Sequence, residues 1–372
     1  MMLMNRTGVA LILIIALIFS ALVVIQFTKS VAAQAYSSIT IKPDGSIEGT
    51  DKIQRNGNVY TLTDDIINSS ITVTCNHVVL DGSGFTLRGP TGWVDGIGAI
   101  NLTCSNVTVQ NFNIIGFWEA GILGAYNGNK IISSNITKTD RALAIYADDY
   151  QIESNYLADN HIAIRIVGKN NNATQNHIVD NYVGFRITNS SNNNIVANII
   201  EENMQAIVTD YGGFQVYHNN FINQMIGSGG GWEAMILSAN YFYLGVNVTL
   251  APEWDNGYPS GGNYWSDYAI RYPNATEVDD SGIGDSAYFI GLPCAINSTY
   301  VSTYLVQAVD RYPLMAPFII SKPVIPISSP NPSPSAEPQL VPIPNITIMD
   351  VAITVAVIFA GLGLLVYLVK RK

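Results

Sequence analysis

Charged side chains recur at a regular spacing in the middle of the sequence. Asp159, Asp180 and Glu202 follow one another at a nearly constant interval, and Arg165 and Arg186 repeat that interval. Hydrolysis of a glycosidic bond requires a clustered pair of carboxylates, and cleavage by elimination requires calcium with a cationic base. The candidate catalytic residues are therefore Asp159, Asp180, Arg165 and Arg186. The same charges on an exposed sheet also form ordinary surface ion pairs, and the pattern alone does not decide between the two.

A block of aromatic residues is the second chemical candidate. It contains Trp254, Tyr264, Trp265 and Tyr268 among Gly and Asp residues. Exposed rings stack on the apolar faces of sugars, which makes these four residues candidate ligand-binding residues. Buried rings would instead close the end of the fold, as repeat proteins require. Both interpretations stay open at this point.

An acidic segment follows the aromatic block. Its oxygen-bearing residues, with Gly282 at the turn, are Glu277, Asp279, Ser281 and Asp285. Alternating oxygen ligands of this kind are typical of the start of calcium loops. Ser281 stands where an acid is expected, so an ordinary hydrophilic turn explains the segment equally well. Calcium is a candidate ion, although nothing in the pattern requires a cofactor.

An internal repeat positions these groups. Small residues recur at equivalent places, namely Gly121, Ala142, Ala163, Gly184 and Ala206. Each unit contains short runs of alternating apolar and polar residues, which predict strands. A fixed period of about 21 residues predicts a solenoid. Strands of successive coils stack about 4.8 Å apart, so equivalent side chains form ladders along the axis of a parallel β-helix.

Asparagine recurs with nearly the same period. Asn135, Asn155, Asn176 and Asn198 each fall once per repeat. Asn tolerates left-handed backbone angles and hydrogen-bonds nearby backbone groups, so a stacked Asn satisfies polar groups that a bend leaves unpaired. These four residues therefore predict an Asn ladder in one turn of the coil.

Two cysteines occupy matching places in the irregular coils upstream. Cys75 and Cys104 each follow a short β-type run, so they are expected to lie one above the other. A disulfide is geometrically feasible at that distance, and export permits it. Two buried thiols are the alternative. Cys294 has no evident partner.

Both ends of the chain indicate membrane targeting. The apolar run after Arg6 ends in small residues before Tyr36, which predicts a cleaved signal peptide, with an uncleaved anchor as the alternative. Residues 351–369 carry no charge and precede three basic residues, which predicts a transmembrane helix at 349–369 with the body outside the cell. The complete division is a signal peptide at 1–35, N-terminal cap strands at 36–74, β-helix repeats at 75–250, a Tyr/Trp-rich cap with the calcium candidate at 251–318, a Pro-rich stalk at 319–348, the membrane helix at 349–369 and a cytoplasmic basic tail at 370–372.

Composition limits the partners. The 372-residue chain has a formal net charge of −10 and only 12% charged residues. It has no basic stripe to neutralise phosphates, which argues against nucleic acid. After the first apolar segment, Asn-x-Ser/Thr triplets predict a glycoprotein, although a chain this rich in Asn, Ser and Thr also produces such triplets by chance. They begin at Asn68, Asn101, Asn106, Asn135, Asn172, Asn189, Asn247, Asn274, Asn297 and Asn345.

The segments VVLDGSGFTLRG and WDNGYPSGGNYWSDY, with the Asn-bearing coils between them, resemble the NosD-like right-handed parallel β-helix family, particularly its archaeal cell-surface branch. The resemblance runs from about Ser37 to Phe318. It implies an all-β, right-handed solenoid with an aromatic-rich C-terminal cap. It also brings copper delivery into consideration, but copper requires clustered ligands, and the four histidines are spread over His77, His161, His177 and His218.

Three classes of function fit these observations. The favoured one is a non-catalytic glycan-binding or adhesion module held on the cell membrane, with polysaccharide or envelope glycoproteins as partners. A polysaccharide lyase or glycoside hydrolase is the second, with Arg165 and Arg186 on the floor of a groove and Lys169 and Tyr182 at its edge. A structural envelope component is the third, and copper delivery is the least favoured.

Overall fold

The computed structural model describes residues 36–90, 98–209, 213–223, 253–290 and 308–323. These residues form mostly β-structure, wound into a solenoid whose coils each cross three sheets in the order A, B, C. Most strand pairs are parallel. The exceptions are two N-terminal hairpins and one pair near the C-terminus. The predicted parallel β-helix is therefore confirmed for the described residues.

The strands are short and are numbered along the chain. Sheet A contains β1 Ser37–Ile41, β2 Ile47–Glu48, β6 Ser69–Val73, β9 Gly98–Leu102, β12 Ala120–Gly124, β15 Arg141–Ile145, β18 Ile162–Ile166, β21 Val183–Ile187 and β24 Gln205–Thr209. Sheet B contains β3 Ile53–Asn56, β4 Val59–Leu62, β7 Val79–Asp81, β10 Thr108–Gln110, β13 Lys130–Ile132, β16 Gln151–Glu153, β19 Asn172–Thr174, β22 Asn193–Val196 and β25 Phe214–Tyr217. Sheet C contains β5 Ile66–Ile67, β8 Thr86–Arg88, β11 Asn113–Ile115, β14 Asn135–Thr137, β17 Tyr156–Ala158, β20 His177–Val179, β23 Ile199–Glu201, β26 Asn220–Ile222 and β27 Tyr264–Trp265.

A short helix and one more strand pair follow the last coil. They are α1 Tyr268–Arg271, β28 Tyr288–Ile290 and β29 Ala308–Asp310. The predicted signal peptide, the membrane segment and most of the stalk lie outside the described residues. No helix within the described residues is long and apolar enough to cross a membrane.

The register of sheet A confirms the predicted period. Ile122, Leu143, Ile164 and Phe185 are paired from one coil to the next. The small residue just before each of them faces a crowded interior. A Cβ on Gly121 would lie 2.5 Å from the Ile136 side chain of sheet C and 2.7 Å from the Ala142 carbonyl oxygen. Gly121 has no room for a Cβ, and the equivalent positions of the following coils hold nothing larger than Ala, which agrees with the repeat of small residues.

Asparagine ladders stabilise all three turns of the coil, and not only the turn identified from the sequence. In the turn from sheet B to sheet C, the Oδ1 atom of each Asn accepts a hydrogen bond from the backbone N–H of the equivalent residue one coil earlier, at 2.9–3.1 Å. The members of this ladder are Asn155, Asn176, Asn198, Asn219 and Asn263. The C-to-A ladder contains Asn160, Asn181 and Asn203. The A-to-B ladder contains Asn129, Asn171 and Asn193.

Asn135 does not belong to the ladder, contrary to the sequence-based expectation. Ser134 holds the equivalent position, because its backbone N–H donates to Asn155 Oδ1 at 3.0 Å. Asn135 is the first residue of β14 and pairs in register with Asn113 and Tyr156. Asn135 is one residue closer to Asn155 than Asn155 is to Asn176, and this shorter interval was the signal of the offset.

We expect Asn176→Ala to lower the free energy of unfolding by about 3 kcal/mol, because it leaves buried backbone and amide groups of two adjacent coils unpaired. Asn135→Ala is the matched control, with an expected loss below about 1 kcal/mol. Chemical denaturation of the full chain in detergent, followed by circular dichroism, measures both. Equal losses for the two variants would contradict the register described above.

Candidate functional site

The outer face of sheet A carries the densest cluster of interacting polar and aromatic side chains that we identify on the solenoid. In four successive coils, one residue directly precedes the sheet A strand. These residues are Glu119, Asp140, His161 and Tyr182. The strand register stacks the four positions along the axis. We call this cluster, together with its neighbours Trp118, Arg141, Tyr146, Arg165 and Arg186, the sheet A face.

Arg141 is the centre of an ion-pair network on the sheet A face. Its guanidinium lies 2.8 Å from a carboxylate oxygen of Glu119 and 3.0 Å from one of Asp140. The other oxygen of Asp140 lies 2.9 Å from His161 Nδ1. Burial acts to lower the pKa of Arg141, but the charges of Glu119, Tyr146 and Asp140 raise it above its ordinary value. The network therefore holds a permanently charged guanidinium between two carboxylates.

Aromatic rings border this network. Trp118 is 56% exposed and Tyr182 is 47% exposed, while Tyr146 is also open to solvent. The rings of His161 and Tyr182 are 5.1 Å apart. The Arg165 guanidinium lies over the Tyr146 ring at 5.4 Å from its centroid, and the Tyr146 hydroxyl is 3.3 Å from Arg141. The exposed rings of Tyr146 and Tyr182 therefore lie beside fixed hydrogen-bonding groups.

The structure separates the predicted catalytic carboxylates from the predicted catalytic arginines. Asp159 and Asp180 occupy the left-handed corner of the C-to-A turn, with φ of 57° and 56°, and Glu202 follows them with φ of 53°. Arg165 and Arg186 pair in register near the far end of their sheet A strands. About 10 Å of strand lies between the start of β18 and Arg165. The acids therefore belong to one corner and the arginines to the sheet A face.

Sequence reasoning missed the centre of the sheet A face. Glu119, Asp140 and Arg141 were absent from the predicted site, although they precede or begin sheet A strands with the same period as the other charges. Aligning the coils on the small residues Gly121 and Ala142 would have brought these three charges together. No spacing rule, however, shows that one guanidinium contacts both acids.

The structure places three of the four predicted ligand-binding aromatics in the interior. Trp254, Trp265 and Tyr268 are buried, and Tyr264 is partly buried. Trp265 stacks between the Phe221 ring at 4.4 Å and the Tyr288 ring at 4.2 Å. These rings continue the apolar column of sheet C and close the end of the solenoid. Trp265 has no free face for a sugar, so the structure assigns the block to capping.

Asp310 fixes this cap to the last Asn of the ladder. Its Oδ2 atom accepts hydrogen bonds from Asn263 N at 2.7 Å and from Trp265 Nε1 at 2.9 Å. Tyr312 N donates to Oδ1 at 3.1 Å. Burial raises the pKa of Asp310 to about 7, and these hydrogen bonds oppose that rise. The neighbouring Asp255 is paired with Arg311 at 2.7 Å.

The calcium candidates share one turn, but their oxygens serve hydrogen bonds. Asp279 accepts from the Tyr258 hydroxyl at 2.6 and 2.7 Å, and Ser281 donates to the Val278 carbonyl. Glu277 accepts from Gly282 N. Asp285 accepts from Thr276, which lowers the pKa of Asp285. Calcium binding stays a prediction.

The four histidines have different surroundings. His177 Nε2 lies 3.0 Å from Glu201 and His218 Nε2 lies 2.8 Å from the Ser260 carbonyl, whereas His161 contacts Asp140 and His77 occupies a left-handed corner. Among the residues that the structure describes, no three His, Cys, Asp or Glu side chains are grouped to hold a metal ion.

Cys75 and Cys104 are stacked as predicted, because each follows a member of the register pair Val73 and Leu102 by two residues. Both are buried free thiols. Cys104 Sγ donates to the Cys75 carbonyl at 2.9 Å and to the Val73 carbonyl at 3.2 Å. Of the two interpretations left open by the sequence, the structure shows the buried thiols. Cys294 lies outside the described residues.

Comparison with known proteins supports the fold alone. A family model described as the right-handed β-helix region matches residues 96–243. No curated protein and no solved structure matches the chain. A β-helix hosts many unrelated functions, so function has to be argued from the surface of this chain.

Asp310 predicts a pH-dependent stability. Between its ordinary pKa of 3.8 and about 7, the folded state holds a proton on Asp310 that the unfolded state has lost. The free energy of unfolding contributed by this group therefore falls as pH rises from about 4 to about 7. We expect this fall to appear in the difference between the melting temperatures of the native protein and Asp310→Asn, measured by calorimetry. A difference that does not change with pH would contradict the assignment.

The thiols predict slow alkylation. Burial, together with the nearby Cys75, raises the pKa of Cys104 to about 12, so little reactive thiolate forms in the folded protein. Iodoacetamide should leave both cysteines unmodified in the native chain and modify both after unfolding without a reductant. Peptide mass spectrometry reads each cysteine separately. Alkylation that requires prior reduction would show a disulfide.

Proposed function

We propose that this chain is a membrane-anchored cell-surface protein whose sheet A face binds a glycan without cleaving it. One observation carries the proposal. The face presents the exposed rings of Tyr146 and Tyr182 against a fixed network of one guanidinium and two carboxylates, and the exposed Trp118 directly precedes Glu119 in the chain. Rings of this kind stack on sugar faces, and charged groups bond sugar hydroxyls strongly. The proposed site is thus on the solenoid wall rather than in the aromatic cap.

The arrangement of the carboxylates favours binding over catalysis. Glu119 and Asp140 are both ion-paired with Arg141, whereas a general acid in glycoside hydrolysis has to hold a proton. Asp159 and Asp180 lie in the corner of the C-to-A turn, separated from Arg165 and Arg186 by most of a sheet A strand. A polysaccharide lyase or hydrolase is therefore the second candidate function, favoured by the Arg141 and His161 cluster alone.

The location of the protein is also proposed from sequence. The uncharged apolar run at 351–369 with its basic flank supports a single membrane span with the solenoid outside. The two segments VVLDGSGFTLRG and WDNGYPSGGNYWSDY support the NosD-like archaeal surface branch, although the scattered histidines give copper delivery the least support. A purely structural envelope role requires no ligand and predicts neither retention nor sugar release in a binding assay.

Tyr182→Ala tests the proposed surface. We expect the full chain in detergent to be retained by at least one polysaccharide of an array. Tyr182→Ala should weaken that retention about tenfold, since stacking on an aromatic ring contributes up to about 1.5 kcal/mol. Phe289→Ala is the matched control, because the Phe289 ring is 50% exposed and lies on β28, which does not belong to sheet A.

Reducing-sugar release is read in the same assay. Retention without release supports the binding module. Release that depends on Glu119 or Asp140 would establish the enzyme instead, and equal loss in the Phe289 and Tyr182 variants would place the site elsewhere. Absence of both retention and release would leave the structural role as the better account.

A further inference from the structure

Two arginines on the sheet A face are stacked in register. Arg165 and Arg186 pair in adjacent strands β18 and β21, which places their backbones about 4.8 Å apart. The same position in the coils before and after holds Ala144 and Val208. At this strand position only two adjacent coils carry a positive charge, and the two arginines occupy equivalent places in their strands.

Neither arginine forms an ion pair with any residue that the structure describes, in contrast to Arg141. The two nearby acids of the sheet A face, Glu119 and Asp140, both bind Arg141. Two like charges stacked at this spacing repel each other. A protein with a net charge of −10 thus keeps two unneutralised guanidiniums side by side on one face.

Arg165 is held in place before any ligand arrives. Its guanidinium lies 5.4 Å from the centroid of the Tyr146 ring, and the Tyr146 hydroxyl contacts Arg141. The Arg165 Nε atom is buried without a hydrogen-bond partner, so no internal acceptor offsets its charge there. A guanidinium positioned in this way loses little conformational freedom when it binds an anion.

We infer that the glycan bound by the sheet A face is an acidic polysaccharide, whose carboxylate or sulfate groups bind Arg165 and Arg186. This inference rests on the proposed function. Guanidinium matches the planar geometry of a carboxylate and forms paired hydrogen bonds with it. One anionic group seated between the two coils can bond to both guanidiniums and removes the repulsion between them. The Tyr146 ring beside Arg165 is available to the uncharged sugar faces.

Hyaluronan and its methyl ester form a matched pair of probes, because the ester keeps the sugar backbone and removes the carboxylate charge. Chondroitin sulfate adds a sulfated probe. We expect the full chain in detergent to bind hyaluronan or chondroitin sulfate at least tenfold more tightly than the ester in biolayer interferometry. Binding should weaken further as sodium chloride screens the charges.

The variants Arg165→Gln and Arg186→Gln should each weaken binding of the acidic probe roughly tenfold, the usual effect of losing a hydrogen bond to a charged group. They should leave binding of the ester unchanged. Lys130→Gln is the matched control, since Lys130 is an exposed cation on sheet B, and it should change neither.

The outcomes separate this inference from the proposed function. Equal binding of the acidic probes and the ester, with no effect of the arginine variants, would overturn the acidic ligand and keep a neutral glycan. Retention of only neutral array members would do the same. Binding that fails in Lys130→Gln as strongly as in Arg165→Gln would show a general charge effect and would also overturn the arginine site. Loss of acidic binding in the arginine variants, with normal melting temperatures, supports it.

Discussion

Hydrogen bonding of the corners is the constraint on which this solenoid depends. Each coil turns three times, and each turn buries backbone N–H groups that no strand can pair. The Asn side chains accept from those groups and donate to a carbonyl of an earlier coil, as Asn176 does with Asn155 N–H and the Ile152 carbonyl at 3.0 and 2.9 Å. Buried polar groups without partners are costly, so the ladders permit sharp corners and short strands. Without them the three sheets could not close around an apolar interior.

The residue before each ladder Asn of the C-to-A turn has a left-handed backbone conformation. It lets the chain turn, and it directs its own side chain outward, as the exposed Asp159 and Asp180 show. Their repetition follows from the geometry of the corner, where a short polar residue tolerates positive φ. A regular spacing of acids in a β-helix is therefore weak evidence for catalysis. The residues that differ from coil to coil on the strand faces carry more information about a ligand.

The ends of the solenoid need separate solutions, because the ladder stops there. At the C-terminal end the carboxylate of Asp310 takes the place of a further Asn, at 2.7 Å from Asn263 N. The rings of Phe221, Trp265 and Tyr288 stack over the apolar column. A solenoid with an open end would expose backbone and core. The aromatic block is accordingly a structural element, and the wall of sheet A is left as the surface for recognition.

Period and alternation are local properties of a chain, so the repeat, the strands, the parallel β-helix and the stacking of Cys75 on Cys104 could be predicted from the sequence. One Asn ladder of three was also identified, with Asn135 placed in it by mistake, because an offset of one residue leaves the spacing almost unchanged. The burial of Trp265 and the joining of Glu119 to Asp140 by Arg141 emerged from the folded chain alone. Side-chain burial and contacts between coils depend on which side chains come together after a full turn of the solenoid. The order of residues along the chain does not specify those distances in space.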